Sequence, residues 1–171
     1  DMTSKLQEYI YRTAKKMGGC EHVEDILHCK SDMDLALLYF KYIDFCFTHN
    51  FPSADVLRDN ETLMRSAGII QRGSIVSDGI LQRYALINNA RLDLTLNEAK
   101  ICFVYLNNVS NAVIRLYDNA IVSIEACSGT QIKIEANNQS TALIKLCKTA
   151  DLVTIEKGGI VQVRRYERDT I

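Results

Sequence analysis

Four residues near the N-terminus have the chemistry of a metal site. Cys20, His22, His28 and Cys29, with Glu21, Glu24 and Asp25 between them, could offer thiolate, imidazole and carboxylate ligands to zinc. The spacing argues against it. Structural zinc sites favour C-x2-4-C and H-x3-5-H pairs, whereas C-x-H-x5-H-C on a partly helical stretch sends its ligands to diverging faces. The expectation is that Cys29 packs inward, that both histidines lie at the surface and that no structural metal is held.

Acidic residues form the second candidate. Asp93, Glu125, Glu135, Asp151 and Glu156 could supply the facing carboxylate pair that glycoside hydrolysis needs. They alternate instead with basic and small residues, as on a solvated surface. Asparagines at 88, 89, 107, 108, 119, 137 and 138 could suggest a sugar or calcium site. Calcium-binding repeats, however, need Gly-rich, Asp-containing turns. Asn at a chain corner is explained by its tolerance of the left-handed conformation. No Ser/His/Asp order, phosphate loop or GxGxxG occurs, and all three histidines fall within the first 49 residues. The sequence therefore predicts no catalytic residue, no cofactor and no metal. A carbohydrate-binding or carbohydrate-active β-helix protein is the alternative reading.

The elements that would position any site are repetitive. "RLYDNAIVSIEA" (115–126) has relatives thirty residues to either side, "ALINNARLDLTL" (85–96) and "KLCKTADLVTIE" (145–156). Three blocks of thirty cut at 82, 112 and 142 align Tyr84 with Ile114 and Ile144, Leu86 with Leu116 and Leu146, and Ala90 with Ala120 and Ala150. Within a block, apolar residues alternate with period two in three short runs, which predicts strands. Three such strands per thirty residues predict one coil of a short parallel β-helix. The rule for parallel crossovers makes it right-handed. Three coils at the strand spacing span only about 14 Å, short for the groove of a carbohydrate enzyme.

The outward residues differ by face. Arg91, Asp93, Ser123 and Glu125 on the second run, and Lys100, Gln131, Lys133, Glu135 and Gln162 on the third, read as wet. The first run instead turns out Ala85, Ile87, Val113, Tyr117, Leu143 and Cys147, as in a strand buried on both faces. Ile87, Val113, Tyr117 and Leu143 are therefore expected to form an apolar outer stripe covered by the helical head or by a partner chain. The ending "VQVRRYERDTI" loads the last coil with charge. Arg164 and Arg165 there are the other candidate contacts for a protein partner or a second copy.

The head, residues 1–70, reads as four helices. Ser4 with Gln7 resembles a capping box, and Gly18 and Gly19 stop the first helix. A short one covers "CEHVEDILHCK". Ser31 or Asp32 caps a third from Met33 to His49, and Ser53 a fourth carrying Val56, Leu57, Leu63 and Met64. The core of such a head is thin, so it is expected to pack on the repeat domain, residues 71–171.

Charge bounds the partners. Twenty basic residues stand against 21 acidic ones, with eight against eleven in residues 1–70, which argues against nucleic acid. No apolar run reaches the length of a signal peptide or of a membrane span, so no membrane contact is expected and the predicted location is cytoplasmic. Six cysteines without CxxC spacing suit reduced thiols in that compartment.

"YFKYIDFCFTHNFPSADVLRDN" (39–60), followed by the repeats, resembles uncharacterised proteins of gut bacteria and their phages or prophages, in which a short helical segment with a "DFC...HNFPS" phrase precedes a β-solenoid. The resemblance implies a phage-associated, in some cases virion-associated, setting and no catalytic residue. The expected protein is mixed α and β, a helical head on a three-coil β-solenoid, acting as a binding or assembly module.

Overall fold

The computed structural model describes residues 4–19, 22–127 and 129–169. The chain divides into two compact units, Asp1–Ala67 and Gly68–Ile171.

The first unit is helical. α1 (Lys5–Lys16) starts where the Ser4 hydroxyl accepts from the Gln7 amide at 3.1 Å, and it buries Ile10 and Ala14. After the single turn of α2 (Glu24–Leu27), α3 (Asp32–Lys41) is capped by Ser31, whose Oγ accepts from the Asp34 amide at 3.1 Å. The helix expected to run to His49 is two helices. The chain leaves helical conformation at Tyr42, with φ −116°, and resumes as α4 (Ile43–His49). At that break the Lys41 ammonium and the Tyr42 hydroxyl both donate to the Asp25 carboxylate. These donors hold the Asp25 carboxyl below its ordinary range, Lys41 contributing most.

The helix after Pro52 is likewise divided. The chain leaves helical conformation at Asn60, with φ −115°, where its side chain donates to the Val56 carbonyl at 2.9 Å, and this divides α5 (Ala54–Asp59) from α6 (Glu61–Ser66). Local side-chain bonding of this kind competes with the helical ladder. Six helices thus stand among the described residues where four were expected.

The second unit is a β-solenoid. Its strands are β1 (Ile69–Ile70), β2 (Ser74–Ser77), β3 (Arg83–Leu86), β4 (Arg91–Leu96), β5 (Ile101–Leu106), β6 (Asn111–Leu116), β7 (Ile121–Ala126), β8 (Gln131–Asn137), β9 (Thr141–Leu146), β10 (Asp151–Lys157) and β11 (Ile160–Arg165). The first sheet has the order β1-β3-β5-β7-β9-β11 and the second β10-β8-β6-β4-β2, all pairs parallel. Ile101 lies beside Ile121, and Asn111 beside Gln131, so a coil is twenty residues long and holds two strands.

About five such coils replace the three coils of thirty residues and three strands expected from the sequence. The physical reason is that each half-coil is itself a repeat of ten residues: a six-residue alternating strand and a four-residue turn. Thirty residues are three half-coils, so the block alignment is real but joins strands of opposite sheets. Ile114 on β6 stacks on Leu94 and Ile134, while Tyr84 and Ile144 belong to the other sheet.

Inward residues form continuous columns. Tyr84, Val104, Ile124 and Ile144 make one, and Leu96, Leu116 and Ala136 another, all nearly solvent-free. Small residues occupy the corners. Ala90, Ser110, Thr130 and Ala150 recur every twenty residues there, each buried. Corner hydroxyls and amides tie coils together: Ser110 Oγ donates to the Leu86 carbonyl at 3.2 Å, and Asn137 Nδ2 to the Leu116 carbonyl at 3.2 Å. Cys102, Cys127 and Cys147 are free and buried, as are Cys29 and Cys46 in the first unit. Burial pushes the Cys102 thiol up to about 12, which removes its nucleophilicity at neutral pH.

Of the seven asparagines expected at corners, four take the left-handed conformation, whereas Asn89, Asn107 and Asn137 do not, and Asn137 is the last residue of β8. Asn88, Asn108, Asn119 and Asn138 all have positive φ, between 51° and 62°. Val109 shares this conformation at φ 55° and is 59% exposed, although a β-branched residue is strained there. Val109→Asn should therefore raise unfolding free energy by about 1 kcal/mol, the low end of the strain range. Urea denaturation checks this. A loss of stability would show that the valine contributes packing that outweighs its strain.

Candidate interaction surface

The outer faces of both sheets mix ionic pairs with exposed apolar residues, among them Val76 and Val153 on the second sheet. On the second sheet, Arg115 reaches Asp93 at 2.7 Å and Lys157 reaches Glu135 at 3.0 Å, each pair bridging neighbouring coils. The Lys157 ammonium holds the Glu135 carboxyl below its ordinary range. On the first sheet Lys145 reaches Glu125 at 2.8 Å, beside rows that carry several exposed apolar residues. One row is Ile101, Ile121, Thr141 and Ile160, and the next contains Phe103, Ser123 and Leu143. Ile101 and Ile160 are at least half exposed, and Phe103 and Leu143 nearly so. These rows run in register toward the last coil.

That coil is open. β10 and β11 are each the terminal strand of their sheet, paired on one side only among the described residues. Their inward positions continue the core columns, with no further described strand above them. Leu152 stacks on Ile132, Val161 on Ala142 and Val163 on Ile144, yet Leu152 and Val161 are only half-buried and Val163 is 46% exposed. Arg165 stands at the inward position above Leu146, and its Nη1 donates to the Ala150 carbonyl at 3.3 Å. Arg164 and Arg168 both lie over the ring of Tyr166, at 5.1 and 5.5 Å. Exposed aliphatics and charges of both signs thus share one end of the stack.

The residues expected to form one apolar stripe do not form one. Leu143 is on β9 of the first sheet, Val113 is on β6 of the second, and Tyr117 follows β6 directly. Ile87, just after β3, is buried. The thirty-residue register had placed strands of both sheets on one face. Only Leu143 joins an exposed apolar row, while Arg164 and Arg165 are exposed on β11 as expected. Ile101, Phe103, Ile160 and Val163 were missed. A twenty-residue alignment of 101, 121 and 141 would have brought out the row of Ile101 and Ile160, while Phe103 lies in the next row and Val163 at an inward position.

The chemistry-bearing candidates remain dispersed. Asp93, Glu125 and Glu135 each bond to a cation of an adjacent coil, and none of the five acids is a register neighbour of another. In the first unit His22 stacks on Tyr42 with centroids 5.6 Å apart, and His28 Nδ1 lies 2.9 Å from the Glu24 carbonyl. Cys29 is buried, with its thiol 3.5 Å from the Asp25 carbonyl. Cys20 and Glu21 lie outside the described residues, and among those described no three His, Cys, Asp or Glu residues converge on a metal position. No described helix is long and apolar enough to cross a membrane. Compared with protein-family models, curated proteins and solved structures, the chain matches none.

Proposed function

We propose that the protein is a non-catalytic assembly module, and that its open last coil takes a second copy of the same chain. The observation that carries this reading is the partly exposed end of the core. Leu152 and Val161, half-buried, and Val163, 46% exposed, end three core columns beside β10 and β11, which pair on one side only among the described residues. Edges of this kind template further pairing unless they are blunted. The charges at this end have both signs, with Glu156, Lys157, Arg164, Arg165, Glu167, Arg168 and Asp169 close in sequence. A two-fold contact can set such a patch against itself, acid to base. Ile160, exposed on β11 itself, adjoins the same end and would lie at the seam. A phage-associated setting is part of the proposal and rests on the resemblance at residues 39–60 alone.

Light scattering on size-exclusion fractions tests the reading. The chain should elute as a dimer or larger in the micromolar range and dissociate on dilution. Val163→Lys, at a position already 46% exposed, should yield monomer with an unchanged far-ultraviolet circular dichroism spectrum. A wild-type monomer at every concentration, or a folded Val163→Lys that assembles as before, would sink the proposal.

A further inference from the structure

The first unit is built around a hollow. Its helices surround a cavity of about 290 Å³. Ala14, Leu35, Ala36, Cys46 and Met64, all buried, form its floor. The lining continues outward through half-buried Tyr42 and Phe45 to exposed Gly18 and His22. Among the described residues every helix except α5 contributes to the lining, together with Phe51 and Pro52, and one side is open to solvent.

The lining offers little to water. The Tyr42 hydroxyl is committed to Asp25, and the ring of His22 lies against that of Tyr42. Burial pushes the Cys46 thiol up to about 12 and the Tyr39 hydroxyl well above its ordinary value, so both stay neutral. Water needs two to four polar partners to be held in such a space. An empty apolar cavity, in turn, forfeits the dispersion contacts of its walls. A guest that brings apolar surface and no charge meets both conditions.

Size and shape restrict the guest further. A cavity of roughly 150 Å³ accepts benzene, so this one corresponds to about two rings, and it is too small for a partner helix about 10 Å across. Phe45 and Phe51 already meet edge to face with centroids 5.8 Å apart. A planar aromatic guest extends that arrangement, in the geometry aromatic rings prefer. We propose that the cavity is a binding site for an uncharged aromatic small molecule of up to roughly two fused rings, held by Tyr39, Tyr42, Phe45 and Phe51.

The test uses the full chain and 1-naphthol, a neutral two-ring fluorophore. The protein contains no tryptophan, so the probe's emission is read without interference. Saturable binding at one site per chain is expected, with a rise in melting temperature, since a ligand of the folded state stabilises it by mass action. Ala36→Leu fills the floor and should weaken binding at least tenfold. Val23→Phe narrows the cavity from a half-buried position and keeps the test decisive where Ala36→Leu fails to fold. Phe103→Asp, on the outer face of the solenoid, should leave binding unchanged. The proposal is overturned by the absence of saturable binding, by folded filling variants that bind as well as wild type, or by loss of binding in Phe103→Asp. None of these readouts depends on the state of assembly, so the site and the last coil stand or fall separately.

Discussion

Leu116→Ala is expected to destabilise the protein by about 2–5 kcal/mol, the range for truncating a buried aliphatic side chain. Leu116 is fully buried in a middle coil, between Leu96 on one side and Ala136 on the other. Ala136 is too small to lean into the space left behind, and the columns are fixed by strand pairing on both sides, so the cavity persists. In a stacked repeat each unit is stabilised by its two neighbours, and a defect in the middle weakens two interfaces. The contrasting substitution is Val163→Ala on the last coil, 46% exposed, which should stay within about 0.5 kcal/mol, as surface substitutions do, when measured at dilutions where the chain is monomeric. Urea titration of both variants, with the slope held against wild type, measures the difference. A loss below about 1 kcal/mol at Leu116 would contradict the stacked-column core.

Gly68→Ala should cost about as much for a different reason. Gly68 follows α6 and enters β1 with φ +91°, a conformation that side chains rarely adopt. A Cβ there would also stand 2.3 Å from the Arg83 carbonyl oxygen, which is backbone and cannot swing aside. The Gly68 carbonyl is itself committed, accepting from the Ala85 amide at 2.8 Å. Conformational strain and overpacking each cost about 1–3 kcal/mol, so a combined loss of roughly 3–5 kcal/mol is expected. Differential scanning calorimetry would show it as a fall in melting temperature. A variant that melts with wild type would mean that the backbone at this junction moves freely.

Much of the fold was legible because burial follows local pattern. The period-two runs announced the strands, the caps at Ser4 and Ser53 were read in place, Ser31 was one of two candidates for the third, and Leu116 and Ile124 are buried as their pattern requires. Coil length was not legible from the thirty-residue blocks, because Ala90, Ala120 and Ala150 look alike although Ala120 turns the opposite corner. Strands with the same alternation carry no mark of the sheet they join. The divided helices were hidden for another reason. Tyr42 is apolar in pattern, and only its distant bond to Asp25 shows why the chain breaks there. The hollow of the first unit was equally unreadable, since periodicity shows which residues point inward and not whether they fill the space they face.

Alternation of successive strands between two sheets restricts how such a chain can change its length over evolutionary time. A twenty-residue duplication adds one complete coil and returns every later side chain to its former face. A ten-residue duplication preserves each strand's alternation and its buried columns equally well. It nevertheless transfers all downstream strands to the other sheet, carrying the Ile160 row to the side of the Arg115–Asp93 pair. Natural length variants that keep both surfaces should therefore differ by whole coils, and a variant that differs by half a coil would have inherited a stable stack with its two sides exchanged.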